Sequence, residues 1–167
     1  MDAKELISRL GLQPLFGEGG FYKETYRAPE KIPLSALSSR YIGDKSISTA
    51  IYYLLTPDTF SAIHRLPTDE IFHFYLGDPV TMLQLWPDGS ERTIILGSDI
   101  LSGEIPQHVV PRGVWQGTFL NEGGKFALLG ATMAPGFDSS DFELGKRASL
   151  LAKYGKHADL IARLTND

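Results

Sequence analysis

The chain contains no cysteine. This excludes a disulfide framework, a thiolate nucleophile and a thiolate metal site, so any metal ligand must be a histidine, a carboxylate or an amide oxygen. The chain also lacks blocks of like charge, because its 16 Lys and Arg and 20 Asp and Glu are scattered and leave a net charge of -4. We therefore expect no nucleic-acid partner.

Long apolar runs are missing as well, and none approaches the length of a membrane span. The first residues, Met-Asp-Ala-Lys-Glu, are the reverse of a basic and apolar signal peptide. These absences predict a cytoplasmic protein with no membrane partner. A length of 167 residues with 43% hydrophobic content suits one domain, which we place at residues 1–167.

Turn residues divide most of the chain into short segments rich in aromatic and branched side chains, a pattern typical of a β-barrel or sandwich. A short helix is predicted before them at residues 2–10, where Asp2 and Glu5 have capping-box spacing. Two helices are predicted after Asp141, with one apolar stripe on Leu144, Ala148 and Leu151. The predicted strands are 21–27, 46–55, 59–65, 70–76, 80–86, 92–96, 106–110, 115–120 and 126–133.

The segment from His64 to Gly77 contains the side chains best suited to chemistry. Alternation along a strand places Glu70, Phe72 and Phe74 on one face. We expect an antiparallel pair joined at residues 67–69 to bring His64 and Glu70 together. A buried carboxylate needs a partner, so Glu70 should either pair with His64 or bind a ligand.

The spacing of His64, Glu70 and Gly77 resembles the first cupin motif, and Pro111-Arg-Gly-Val-Trp-Gln116 resembles the second. An ordered series of further segments is similar to the small cupin-5 family, formerly a domain of unknown function: Glu18-Gly-Gly-Phe-Tyr, Trp86-Pro-Asp-Gly-Ser and Ala134-Pro-Gly-Phe-Asp. The resemblance covers nearly the whole chain. It implies an all-β fold, the double-stranded β-helix or jelly-roll-like barrel of cupins, with a short N-terminal helix and C-terminal helices.

The resemblance implies a divalent metal held by three histidines and one glutamate, but two of these positions are changed. Leu66 and Gln116 stand where cupins have histidines. His64, Glu70 and Gln116 remain as candidate metal ligands, although an amide oxygen is a poor substitute for imidazole at a transition metal. No cofactor is therefore certain, and a divalent metal ion stays a candidate. Gln116 is equally a candidate for ligand contact or for a structural hydrogen bond.

Other side chains are assigned by position. Phe72, Phe74, Tyr22 and Glu24 are candidates for ligand contact, the last two being brought onto the barrel by a bend at Gly19-Gly20. His73 has the opposite parity to Glu70, so we expect it at a sheet or dimer interface. His108 and His157 lie outside both motifs and are not expected in the site.

Two functions fit this pattern. In the first, the barrel binds a small polar metabolite and His64 and Glu70 catalyse isomerisation. The resemblance extends to sugar-nucleotide epimerases, which makes a sugar or sugar-nucleotide-like substrate the one to test. In the second, the protein is a non-catalytic binding or sensing cupin with a degenerate metal site. The resemblance also implies a homodimer.

Overall fold

The computed structural model describes residues 2–166, and these form mainly β-strands with short helices near both ends. The helices are α1 (Ala3–Leu10), α2 (Arg147–Lys153) and α3 (Ala158–Arg163). The strands are β1 (Gln13–Pro14), β2 (Phe21–Arg27), β3 (Lys31–Ile32), β4 (Lys45–Ser46), β5 (Thr49–Leu55), β6 (Phe60–Arg65), β7 (Glu70–Gly77), β8 (Val80–Leu85), β9 (Glu91–Leu96), β10 (Gln107–Val110), β11 (Trp115–Leu120), β12 (Ala127–Met133) and β13 (Glu143–Leu144).

Two antiparallel sheets form the barrel, in the arrangement that the cupin resemblance implies. One has the strand order β1-β2-β5-β12-β7-β10 and the other has the order β13-β6-β11-β8-β9. Strands β3 and β4 form a separate two-stranded hairpin. Because side chains alternate along each strand, both sheets have an inner face and an outer face to bury.

Three buried clusters fill these faces. The first includes Phe72, Met82 and Leu129 and lies between the sheets. A second, which includes the buried Tyr154, forms where α2 and α3 cover the outer face of β6, β8 and β11. A third forms where α1 places Leu6 on the outer face of the six-stranded sheet. The terminal helices therefore close the outside of the barrel and leave its interior to the two sheets.

The N-terminal helix begins as the sequence predicts. The Asp2 side chain accepts a hydrogen bond from the Glu5 backbone N–H at 2.8 Å, and Gly11 ends the helix in the left-handed conformation with a φ of 66°. Within residues 2–166, no helix is long and apolar enough to cross a membrane.

Two local predictions are wrong. The predicted strand 46–55 is interrupted, because the chain bends after β4 and β5 begins only at Thr49. The predicted apolar stripe is also misplaced. Leu144 belongs to β13, which hydrogen-bonds to β6, so α2 starts later; its buried residue is Leu150, while Leu151 is 38% exposed.

The connection between β6 and β7 differs from the expected hairpin. Strand β6 pairs with β11 and β13, whereas β7 pairs with β12 and β10 in the other sheet. Residues 66–69 therefore carry the chain from one sheet to the other. As a result, His64 and Glu70 approach across the barrel interior, as members of facing sheets, instead of lying side by side in one sheet.

Candidate functional site

A cavity of about 500 Å³ lies between the sheets. Its wall comes mainly from the inner face of β2, β5, β7 and β12, and it is completed by β6 and three connecting segments. The lining residues are Leu15, Phe16, Glu18, Tyr22, Glu24, Arg27, Thr49, Ile51, Tyr53, His64, Leu66, Glu70, Phe72, Ala131, Met133, Phe137, Asp138, Ser139 and Phe142. The volume suits a small molecule.

Glu70 is buried in the cavity wall, with 8% of its surface exposed. Its Oε2 accepts a hydrogen bond of 2.6 Å from the Nε2 of Gln116. Burial raises the pKa of Glu70 to about 7, against the opposing effect of His64; Glu18 raises this pKa further and the Gln116 hydrogen bond lowers it. The carboxyl group can therefore take up or release a proton near neutral pH.

His64 faces the cavity with one of its two ring nitrogens already committed. Its Nδ1 lies 2.8 Å from the Ala62 carbonyl oxygen, which can only accept, so Nδ1 carries the hydrogen. The Phe142 ring stacks on the imidazole, with 4.9 Å between ring centroids. Neutral His64 consequently offers Nε2 as an acceptor, in an orientation fixed by the strand and by the ring beside it.

Gln116 reaches the site from β11, where it lies directly opposite His64. Its Nε2 binds Glu70, but its Oε1 is buried with no hydrogen-bond partner in the described structure. Gln116 is thus a hydrogen-bond partner of Glu70 from the facing sheet, and it does not itself line the cavity.

Register shifts in two strands bring extra side chains to the interior. The pairing of β2 with β5 shifts between Glu24 and Tyr26, so Arg27 joins Glu24 on the cavity wall. The pairing of β6 with β11 shifts between Ser61 and His64, so both of these face inward. A strict alternation of faces would have turned Arg27 and Ser61 away from the interior.

Arg27 and Glu24 form a two-point ion pair at the wall. The Arg27 Nε and Nη2 donate to the two Glu24 carboxylate oxygens at 2.8 and 2.7 Å, and Nη1 donates to the Phe137 carbonyl at 3.1 Å. The hydrogen bond and charge of Glu24 raise the pKa of Arg27. This arginine is therefore occupied by the protein itself.

Glu18 forms a second polar group near Glu70. Its Oε1 accepts a hydrogen bond of 2.7 Å from the Ser61 hydroxyl. The neighbouring Tyr53 hydroxyl donates to the Gly19 carbonyl at 2.9 Å, and burial raises the pKa of Tyr53, with the charges of Glu18 and Glu70 adding to that rise. Two carboxyl groups, Glu18 and Glu70, thus face the same part of the cavity.

The structure brings most of the predicted site residues together. His64, Glu70, Phe72, Tyr22 and Glu24 all line the cavity. The bend at Gly19-Gly20 delivers β2 to the barrel, with φ values of 104° and 71° at the two glycines.

Phe74 was predicted to contact a ligand, but it does not line the cavity. It lies two residues further along β7, where the space between the sheets is filled, and it packs against the buried core there.

The remaining histidines lie elsewhere. His73 is on the outer face of its sheet, where Nε2 lies 3.2 Å from the Thr132 hydroxyl and the ring stacks on Tyr75. Its parity is as predicted, and a dimer interface at this face stays a prediction. His108 lies outside the cavity, 2.8 Å from the Gln84 amide nitrogen, and burial lowers its pKa.

Comparison with known families identifies the fold. Residues 4–145 match the family model Cupin_5, described as cupin superfamily (DUF985). The chain belongs to the Cupin_5 family.

This Cupin_5 protein has relatives in distant organisms. It is 33% identical to the Saccharomyces cerevisiae protein YML079W, which is itself described as uncharacterized. The match covers 74% of this chain and 66% of the yeast protein, so this chain spans slightly under two thirds of that relative's length. It is similar to the crystal structure of SO0799 from Shewanella oneidensis (34% identity, TM-score 0.87, 99% and 98% of the two chains). It is also similar to a hypothetical protein from Leishmania major (28% identity, TM-score 0.89, 100% of both chains).

Some cupins bind metals, but the residues of this chain do not fit one. A Mn(II)-containing oxalate decarboxylase from Bacillus subtilis shares the fold alone, at 14% identity and a TM-score of 0.53 over 92% of this chain and 37% of that chain. Here Leu66 is apolar, and Gln116 presents its N–H group to Glu70. Among residues 2–166, no group of three or more His, Asp and Glu side chains is placed to hold a metal ion. The predicted metal site at His64, Glu70 and Gln116 is therefore not supported.

Several cavity residues were missed from the sequence. Arg27 depends on a register shift, and Phe142 comes from a segment far along the chain that folds back over His64. Glu18 could have been found, because it directly precedes the Gly19-Gly20 bend that was expected to approach the barrel.

Proposed function

We propose that the cavity binds a small polar metabolite and that Glu70 and His64 exchange protons with it, as in isomerase or epimerase chemistry. The observation that carries this proposal is Glu70 itself. It is a buried carboxyl group with a pKa of about 7 on the wall of a cavity. General acid–base catalysis is most effective when the pKa of the group lies near the working pH.

The two side chains have complementary roles in such a reaction. One removes a proton from a carbon next to a carbonyl group, which leaves an enolate. The other returns a proton to a carbon of that enolate, so the product has the composition of the substrate and no oxidant or reductant is needed. His64 is suited to accept through Nε2, because the Ala62 carbonyl holds the hydrogen on Nδ1. Glu70 can donate when protonated and accept when ionised.

A sugar-like substrate is compatible with this chemistry, whereas a sugar nucleotide is less so. A diphosphate group needs cationic partners. Among the described residues that line the cavity, Arg27 is the one Lys or Arg, and it is already paired with Glu24.

A non-catalytic binding or sensing protein is the second candidate function. The apolar Leu66 and the amide Gln116 at the two changed motif positions favour it, because they remove ligands on which metal-dependent cupin chemistry depends. Both candidates require ligand binding, so proton exchange distinguishes them.

The test has two stages. A metabolite library is first screened by thermal shift against the wild type, His64→Ala and Glu70→Gln, with His73→Ala on the outer face of the sheet as the control. Ligands that stabilise the wild type and His73→Ala more than His64→Ala are then incubated in D2O, and deuterium entry at carbon is followed by NMR. We expect exchange with the wild type and a loss of about 100-fold or more in Glu70→Gln.

The other outcomes are equally informative. Binding without exchange in the wild type supports the sensing function and contradicts the isomerase. If no metabolite stabilises the wild type over His64→Ala, the cavity is not the functional site.

A further inference from the structure

The wall of the cavity has an unequal balance of charge. Four carboxyl groups line it, on Glu18, Glu24, Glu70 and Asp138, against the single guanidinium of Arg27. The bidentate pair with Glu24 neutralises that guanidinium. Hydrogen bonds from the Ser140 backbone N–H and hydroxyl keep the pKa of Asp138 below its usual range, so this carboxylate is ionised. The unpaired charge of the wall is therefore negative.

The carboxyl groups of Glu70 and Glu18 have unused capacity to accept hydrogen bonds. The hydroxyls of Ser61 and Tyr53 and the guanidinium of Arg27 already donate within the protein. By contrast, Glu70 accepts one hydrogen bond, from Gln116, and Glu18 accepts one, from Ser61. A ligand that meets these carboxyl groups can satisfy them only by donating hydrogen bonds.

The imidazole of His64 strengthens this requirement. Its Nδ1 is hydrogen-bonded to the Ala62 carbonyl, so neutral His64 presents Nε2 to the cavity as an acceptor. The end of the cavity near Glu70 therefore carries acceptors on three side chains, those of Glu18, Glu70 and His64.

Aromatic side chains form much of the remaining wall. Tyr22, Phe72, Phe137 and Phe142 line the cavity, with Met133 between the sheets. Aromatic faces bind an apolar body and also attract a positive charge. From these observations we propose that the ligand is a small organic cation, an ammonium group carried on an apolar body, with the ammonium directed at Glu18 and Glu70. This inference rests on the ligand binding that the proposed function requires, and it names a cationic ligand class in place of the sugar-like one.

The affinity for an ammonium ligand should depend on pH. The groups that face Glu70 are Glu18 from the segment before β2, Tyr53 from β5, His64 from β6 and Gln116 from β11. A bound cation favours the ionised form of Glu70, whose pKa without ligand is about 7. Affinity for the cation should therefore rise with pH, by about tenfold per unit below pH 7 at most.

The test uses three probes of the same shape and different charge, namely phenethylammonium, 2-phenylethanol and phenylacetate. Binding to the full chain is measured by isothermal titration calorimetry at pH 6 and pH 8. We expect phenethylammonium to bind at least about tenfold more tightly than either other probe at pH 8, and more weakly at pH 6 than at pH 8.

Two matched variants assign the effect to the cavity. Glu70→Gln should weaken phenethylammonium by about tenfold or more and leave 2-phenylethanol unchanged. Glu30→Gln removes the same charge from an exposed position outside the cavity and should change neither.

Tighter binding of phenylacetate or 2-phenylethanol would overturn the cation assignment and leave the proposed function standing. Absence of phenethylammonium binding at either pH would also overturn it. An equal loss of affinity in Glu30→Gln and Glu70→Gln would do the same. The metabolite screen with His64→Ala tests the cavity itself, so a failure of the proposed function is recognised separately.

Discussion

At the scale of single residues, the buried carboxyl groups of Asp141 and Glu70 meet the free-energy cost of burial in opposite ways. Asp141 accepts hydrogen bonds of 2.8 and 2.7 Å from the buried Lys45 ammonium, so its charge is paired. Glu70 has an amide partner only, and burial raises its pKa to about 7 instead. A neighbouring cation stabilises the ionised form of a buried carboxyl group. Without a cation, burial raises the pKa of the group, so it can exchange a proton near neutral pH.

The shifted pKa of Glu70 predicts how stability depends on pH. An unperturbed glutamate titrates at 4.5 and the folded protein holds this proton until about 7. Between these values the folded state binds more protons, so the free energy of unfolding falls as pH rises. The side chain in Glu70→Gln cannot ionise, so this variant does not have that loss. From pH 5 to pH 8 its free energy of unfolding should therefore rise by about 2–3 kcal/mol relative to that of the wild type. Urea denaturation at both pH values measures this; equal changes in the two proteins would contradict it.

At the scale of elements, the site depends on irregular backbone. Register shifts in β2 and β6 turn Arg27 and Ser61 to the interior, and the Gly19-Gly20 bend places Glu18 and Tyr22 at the wall. A Cβ atom at Gly19 would overlap the Phe60 carbonyl oxygen, so this bend requires glycine both for its φ and for the close approach.

The glycine requirement can be tested with two neighbouring positions. Gly17 and Gly19 both have positive φ values, of 88° and 104°, but a Cβ atom at Gly17 meets open space. Backbone strain should lower the free energy of unfolding of both alanine variants by about 1 kcal/mol. In Gly19→Ala the backbone at Phe60 must also move, so this variant should lose roughly a further 2 kcal/mol and should no longer bind its ligand. Chemical denaturation of both variants gives the comparison. Equal destabilisation would show that the contact with Phe60 is not important.

At the scale of the whole molecule, a buried ion pair joins distant parts of the chain around the cavity. Lys45 in β4 binds Asp141, which lies in the segment between β12 and β13 that contributes Phe137 and Phe142 to the wall. The side chains of this pair are 2% and 3% exposed. Arg65 and Glu143 form a comparable pair nearby, but with side chains 41% and 55% exposed.

These two pairs should differ in energy. Lys45→Met leaves the Asp141 carboxylate buried without a cation, and we expect a loss of about 3–5 kcal/mol. Glu143→Gln should cost less than about 1 kcal/mol, because its pair is exposed to solvent. Both values come from denaturant unfolding of the full chain. A loss in Lys45→Met as small as that in Glu143→Gln would contradict the role assigned to the buried pair.

Much of this architecture could be predicted from the sequence, since alternating faces and turn residues mark the strands and motif spacing marks His64 and Glu70. Sheet membership could not, because nothing in residues 66–69 distinguishes a hairpin from a crossing between sheets. Register shifts leave no local mark either, so Arg27 was missed and the parity rule failed there. The Phe142 contact with His64 is set by long-range folding and has no local sequence pattern.

The central claim is that Glu70 exchanges a proton near neutral pH inside the cavity. Carbon-13 NMR of the glutamate side-chain carboxyl groups, recorded from pH 4 to pH 9 on the wild type and on Glu70→Gln, tests it directly. We expect one resonance to titrate near pH 7 in the wild type and to be absent from the variant. If the resonance lost in Glu70→Gln titrates below pH 5.5, Glu70 is an ordinary ionised carboxylate and the proposed proton exchange has no basis.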